Sequence, residues 1–216
     1  MPLLKPEDAA KLRGIFAEHL TNKVRLVVFT QELECEFCRI SRELVEETAS
    51  LSDNLSVEIF DFVKDAEAVK QYGITKIPAL AIVGERDYGI RFYGMAAGYE
   101  YTSLIEDIID VGRGDPRLPA DIKAALAKVN KPVHIQVLVS PTCPYCPRAV
   151  RVAHRFAMAN ENITADMVEL AEFPHLAQKY DVQGVPKTII NESLDLVGAQ
   201  PEAEVLAKVQ EAIRPN

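Results

Sequence analysis

All four cysteines of this 216-residue chain stand in two Cys-x-x-Cys pairs, Cys35-Glu36-Phe37-Cys38 and Cys143-Pro144-Tyr145-Cys146. Two thiols so spaced can cycle between dithiol and disulfide or bind a metal as thiolates. In the redox case the thiolate of Cys35 or Cys143 attacks a substrate disulfide. Cys38 or Cys146, about one helical turn on, then resolves the mixed disulfide. A zinc site built from all four thiolates fits poorly. Its knuckles usually lie about 15–20 residues apart, whereas 104 residues separate Cys38 from Cys143. The expectation is four catalytic cysteines and no metal.

The pairs repeat at an offset of 108 residues. The same offset maps Tyr72 onto Tyr180, Pro78 onto Pro186 and Asn22-Lys23 onto Asn130-Lys131. Past the proline the copies drift, since Gly94 and Gly198 are 104 apart, which predicts a shorter terminal hairpin in the second copy. The periodicity predicts helix, strand and helix over 6–20, 24–30 and 36–51. A strand at 56–62, a helix at 65–72, a hairpin of 79–83 and 89–93, and a helix at 99–110 complete the first copy. The second copy runs 120–129, 133–139, 145–160, 164–169, 174–180, 188–190, 194–197 and 201–213. Residues 111–119, with two glycines and two prolines, form the joint. The chain thus divides into units 1–114 and 115–216. Each is an α/β unit with a central mixed β-sheet flanked by helices.

In such sheets a site lies at the carboxyl ends of the strands, where both cysteine pairs fall. A cysteine at the start of a helix faces unpaired N–H groups and the positive dipole end, worth about 1 kcal/mol to a thiolate. Pro78 and Pro186 each stand just before a strand. Cis bonds at Ile77–Pro78 and Val185–Pro186 would bring these loops against the cysteines and free backbone groups to dock an extended peptide. Ile77, Pro78, Val185 and Pro186, with Phe37 and Tyr145 inside the motifs, are the expected substrate-docking residues.

The bulk properties narrow the partners. A net charge of −8 argues against nucleic acid. No apolar run approaches a membrane span, and the start MPLLKPEDAAKL lacks a signal-peptide core, so a cytoplasmic location is expected. No glycine-rich phosphate loop indicates a nucleotide site. The four histidines, His19, His134, His154 and His175, do not repeat at the offset and are expected on the surface or half-buried. A monomer and an assembly of copies fit the sequence equally.

Cys-Pro-Tyr-Cys resembles the glutaredoxin redox motif, and the downstream Val-Pro resembles the cis-proline of the thioredoxin superfamily. Two such units in tandem resemble the protein disulfide oxidoreductases of thermophilic archaea and bacteria, over essentially the whole chain. The resemblance implies two thioredoxin-fold units. It also implies reduction, oxidation or isomerisation of protein disulfides, no bound cofactor, and electrons from an NADPH-dependent flavoenzyme of the thioredoxin-reductase type. The chain departs from thioredoxins in having no Trp and in placing Phe29 and Val137 six residues before each pair, where they keep a buried Asp. Glu58 and Asp166, matched at the offset, are the candidate substitutes for proton transfer. The glutaredoxin Gly-Gly-x-x-Asp stretch is only Gly198-Ala199-Gln200-Pro201-Glu202 here.

The two sites differ in charge. Glu32, Glu34 and Glu36 oppose a thiolate at Cys35, with Arg39 and Arg42 offsetting part of this, while Arg148 and Arg151 favour one at Cys143. The Cys143–Cys146 pair is therefore expected to dominate and to be the more oxidising. An alternative reading is an electron-transfer module for one dedicated reductase or peroxidase partner. It would resemble the paired thioredoxin-fold domain at the front of alkyl hydroperoxide reductase flavoproteins. There only one unit keeps its cysteines, so two intact pairs favour the first reading. A non-enzymatic chaperone-like module would keep its activity without the cysteines.

Overall fold

The computed structural model describes residues 2–214. The first half runs α1 (Pro6–His19), β1 (Val24–Thr30), α2 (Cys38–Ala49), β2 (Leu55–Asp61), α3 (Ala66–Tyr72), β3 (Ala79–Val83), β4 (Asp87–Tyr93) and α4 (Glu100–Arg113). The second half repeats that order with α5 (Ala120–Leu126), β5 (Val133–Val139), α6 (Cys146–Ala159), β6 (Ile163–Glu169), α7 (Pro174–Lys179), β7 (Lys187–Ile190), β8 (Leu194–Val197) and α8 (Glu202–Ala212). The second hairpin is the shorter, and Gly94 and Gly198 are equivalent: their N–H groups donate to the carbonyls of Pro78 and Pro186 at 2.9 and 2.8 Å.

Two boundaries differ from the sequence pattern for physical reasons. The helix after each pair starts at the second cysteine, with Phe37 and Tyr145 as N-caps, because the chain must first turn out of the strand. Pro147 in the first turn of α6 suits that start, since an N–H there has no helical partner. At the joint, α4 continues to Arg113 because Asp110 and Val111 are buried. Gly114 then ends it in the left-handed conformation, and the connection shrinks to 114–119.

The strands form one eight-stranded sheet in the order β2-β1-β3-β4-β6-β5-β7-β8. Each half contributes four strands, and the halves join where β4 pairs in parallel with β6, from Ile90↔Ala165 to Tyr93↔Val168. The sequence pattern gives two sheets but not their union. β1 and β5 are interior strands covered on both faces, so VRLVVFT and VHIQVLV are nearly continuous apolar runs. β1 and β5 point the same way, so both cysteine pairs leave the same edge of the sheet. At about 4.8 Å per strand, four steps in the sheet order put the two exits roughly 19 Å apart.

A large core on one face combines Phe16 of α1, Val45 of α2, Leu104 and Ile108 of α4, Phe156 of α6 and Val209 of α8. A smaller core on the other face gathers Phe29, Tyr72 of α3, and Phe173 and Leu176 beside α7. Between the units α4 packs on α6 around buried charges. Arg151 pairs with Glu106 at 3.0 Å and with Asp107 and Asp110. His154 lies 2.6 Å from Asp107 through Nδ1 and edge-on to Phe92. His154 is therefore fully buried, against the expectation for the histidines. Burial, and then the Arg151 charge, push it down to about 3, so a neutral imidazole donates to Asp107.

Candidate active site

The second site is built at the end of β5. After Val139 the chain leaves the sheet through Ser140 and Pro141, and the Cys143 N–H donates back to the Ser140 carbonyl at 3.1 Å. Cys146 then opens α6 as its first residue. Cys143 is 9% exposed and Cys146 fully buried, the order required of an attacking and a resolving thiol. Both are thiols here, whereas Cys35 and Cys38 are joined in a disulfide with Cα atoms 5.4 Å apart. At the first site Cys35 is half-buried and Cys38 buried. The four sulfurs thus sit in two separate pairs. Among the described residues no group of three or more His, Cys, Asp or Glu is placed to hold a metal ion.

Each first cysteine lies just outside its helix rather than in the first turn. It still faces the positive end of α2 or α6, where the first N–H groups have no helical acceptor. Both Ile77–Pro78 and Val185–Pro186 are cis. Pro78 and Pro186 are buried, and Ile77 and Val185 are half-buried beside them. The docking loop of the second site meets its cysteine directly: the Cys143 thiol donates to the Val185 carbonyl at 3.6 Å. Of the apolar residues inside the motifs, Tyr145 is exposed and Phe37 half-buried.

Burial raises the Cys146 thiol far above the ordinary range. The hydrogen bond that the Cys146 thiol donates to Cys143 adds to this, the Ser140 backbone opposes it, and the charges of Cys143 and Glu100 raise it further. Cys146 therefore stays protonated until a partner reacts at Cys143 and a base takes its proton. Phe29 and Val137, at the positions where thioredoxins keep an Asp, are wholly buried and apolar. The two carboxylates expected to substitute are engaged elsewhere. Glu58 pairs with Arg25 at 2.9 Å, and Asp166 accepts from His134 at 2.7 Å, both at mid-strand.

The acid whose charge is felt at Cys146 is Glu100, at the start of α4 in the first unit. It is 1% exposed, one oxygen accepts from the Ser103 hydroxyl at 2.8 Å, and the other has no partner. Burial pushes it up to about 7, with the Ser103 bond opposing. A buried carboxyl that titrates near neutrality can exchange a proton with a resolving thiol. Sequence reasoning missed it because it lies 46 residues before Cys146, in the other half of the chain. The Glu at the start of an apolar helix was the available signal.

The loop before α4 ties this acid to the cysteine loop. The Tyr99 N–H donates to the Pro141 carbonyl at 3.1 Å. Gly98 (φ +60) lies so close that a Cβ there would collide with the Pro141 oxygen.

The charges around the pairs are also rearranged. Arg151, expected to favour a thiolate at Cys143, is committed to the carboxylates of α4. Arg148 remains exposed on the first turns of α6. At the first site Arg39 and Arg42 are paired with Glu43 and Glu46 at 3.1 and 3.7 Å, which leaves Glu32, Glu34 and Glu36 less offset than the sequence alone implies.

Residues 133–211 match the thioredoxin domain family. The chain is 29% identical over 168 residues to an NADH dehydrogenase of Bacillus subtilis, covering 77% of this chain and 30% of that protein. It is 28% identical over 123 residues to the F subunit of Pseudomonas aeruginosa alkyl hydroperoxide reductase, covering 57% of this chain and 24% of that protein. The chain thus spans less than a third of the length of these curated relatives. Among solved structures, a protein disulfide oxidoreductase from Aeropyrum pernix superposes with a TM-score of 0.90 at 30% identity, covering 96% of this chain and 93% of that one. The F subunit of Enterococcus faecalis alkyl hydroperoxide reductase superposes with 0.88 at 28% identity, covering 95% and 99%.

Proposed function

We propose, from the premise that the chain belongs to the protein disulfide oxidoreductases of two tandem thioredoxin-fold units, that it exchanges disulfides with protein substrates at two dithiol sites. The units are 1–114 and 115–216, each with one site. The Cys143–Cys146 site carries most of the turnover. In the reductive direction the Cys143 thiolate attacks one sulfur of a substrate disulfide and releases the other as a thiolate. Cys146 then attacks Cys143 in the mixed disulfide, yields its proton to Glu100, and frees the reduced substrate. The chain is left with a Cys143–Cys146 disulfide. A flavoenzyme of the thioredoxin-reductase type, drawing on NADPH, returns the two electrons. The observation that carries this reading is the stack of Cys143 over a fully buried Cys146, with the Cys143 thiol against the carbonyl that precedes Pro186.

A protein substrate is supported by the surface around both sites. Among the described residues, Leu33, Val63, Tyr99, Tyr145 and Val197 account for five of the eight exposed large apolar side chains, and all five lie on the sheet edge that carries the cysteines. Apolar side chains grouped at one edge suit an unfolded or extended polypeptide. Ile77, Pro78, Val185 and Pro186, with Phe37 and Tyr145, form the docking surface. The likeness to the F subunit of alkyl hydroperoxide reductase favours a second reading, an electron-transfer module for one reductase or peroxidase partner.

Trapping separates the two readings. Cys146→Ser cannot resolve, so it should accumulate mixed disulfides with scrambled ribonuclease, insulin and other unrelated disulfide proteins. Capture of none of these, with rapid exchange only to a reductase or peroxidase, would favour the dedicated module. The reading implies a compartment that keeps thiols reduced, such as the cytoplasm. No helix among the described residues is long and apolar enough to cross a membrane.

A further inference from the structure

The first site also has a carboxyl supplied by the opposite unit. Glu172 follows β6 in the second unit, and its Oε1 accepts the Met95 N–H at 2.6 Å. Met95 belongs to the loop after β4 in the first unit. Its neighbour Gly94 donates its N–H to the carbonyl of Pro78, the docking proline in front of Cys35, at 2.9 Å. The fit at Gly94 (φ +87) is tight: a Cβ there would stand 2.8 Å from Glu169 Cβ and 2.9 Å from Glu172 Oε1. The second oxygen of Glu172 is buried and has no partner.

We propose that Glu172 is a positioning residue for the Cys35–Cys38 site, whose protonation is felt by the Pro78 loop through Met95 and Gly94 and by Cys35 through charge. This rests on the first pair being redox-active, as proposed above. Burial raises Glu172 to about 7, the Met95 N–H opposes this, and the charges of Glu169 and Glu36 raise it further. Glu36 lies inside the first motif, so Glu172 feels a charge one residue from Cys35. Below neutrality Glu172 is protonated, its repulsion of the thiolate is gone, and the Met95 bond loses its charge assistance. Above neutrality the carboxylate grips the loop and opposes the thiolate. The two sites are thus linked reciprocally: Glu100 of the first unit bears on Cys146 through charge, and Glu172 of the second holds the Met95 loop of the first.

The test uses the full chain with Cys143→Ser and Cys146→Ser, so that only Cys35 and Cys38 react. After reduction, the rate of iodoacetamide alkylation at Cys35 is followed from pH 5 to 10. A step near pH 7 is expected in addition to the thiol's own. Glu172→Gln, which keeps an acceptor for Met95, should remove that step and raise the rate at pH 8 roughly fivefold, the effect of one screened neighbouring charge. Glu172→Asp should restore the step. An unchanged profile in Glu172→Gln overturns the proposal. If that variant does not fold, Glu36→Gln serves: it should move the step to lower pH, and an unmoved step overturns the proposal. A Cys35–Cys38 pair that dithiothreitol and an oxidant cannot cycle would instead remove the premise about the site itself.

Discussion

The Cys143 thiol donates to the carbonyl oxygen of Val185 at 3.6 Å. This contact crosses from the loop after β5 to the loop before β7, and under the proposed function it marks where a substrate strand would lie. A peptide that docks on the Val185 backbone displaces the thiol's hydrogen bond and brings its own sulfur to Cys143. Binding and activation of the nucleophile are therefore one event at this site.

The first prediction separates the four cysteines. Cys143→Ser should lower the disulfide-reductase rate at least roughly tenfold, because the remaining site has an acidic flank that opposes its thiolate. Cys35→Ser should leave most of the rate. Steady-state assays of both variants on one protein substrate decide it; equal losses would contradict the ranking.

The second concerns Glu100. Its folded value, about 7, lies above the ordinary carboxyl value of 4.5. The folded state therefore binds this proton more tightly than the unfolded state does. The associated stability is full below about pH 4.5 and is lost as the pH rises through about 7. Ionising the buried acid costs on the order of 3 kcal/mol. Glu100→Gln should accordingly raise the unfolding midpoint in urea at pH 8 and change it little at pH 4.5. It should also slow resolution of the mixed disulfide while leaving its formation unaffected, which a rapid-quench measurement can separate.

The third tests the tie between the units. Gly98→Ala places a Cβ against the Pro141 oxygen in a backbone conformation that alanine disfavours. A loss of about 2–4 kcal/mol is expected, with slower alkylation of Cys143 because the loop before it must shift. Denaturant unfolding and the alkylation rate should change together. A variant as stable as the wild type would count against the geometry.

The fourth removes a buried cation. Arg151→Leu takes one cation from Asp107 and Asp110 in the α4–α6 interface, leaving Asp107 its bond from His154 and Asp110 its pairs with Arg117 and Arg155. Losing one partner of this shared buried cluster should cost about 1–3 kcal/mol and weaken the cohesion of the two units. Urea unfolding followed by circular dichroism should show a lower midpoint. A neutral or stabilising effect would mean that the cluster contributes nothing net.

Much of this was legible in the residues. The offset between the cysteine pairs located both sites, and the apolar runs at 24–30 and 133–139 located the strands that carry them. Pro78 and Pro186 carry the cis bonds that their repeat before matching strands suggested. What escaped was whatever depends on the joining of the units. The β4–β6 pairing adds no sequence signature, since an edge strand and an interior strand of this composition read alike. Glu100 and Glu172 escaped for the same reason, as each bears on the other unit, Glu100 on Cys146 through charge and Glu172 on the Met95 loop through a hydrogen bond. Glu58 and Asp166 were plausible by symmetry, but Arg25 and His134 on the neighbouring strands claim them. Arg151 reads as a charge that favours the Cys143 thiolate until α4 is seen packed against it.

The most direct test of the central claim is insulin reduction coupled to a thioredoxin-reductase-type flavoenzyme and NADPH. It compares the wild type with the two variants that each keep one cysteine pair. The account predicts turnover by the wild type, most of it kept when only Cys143 and Cys146 remain and a small part when only Cys35 and Cys38 remain. No turnover above the uncatalysed rate with dithiothreitol as reductant, or undiminished activity with all four cysteines replaced, would contradict it.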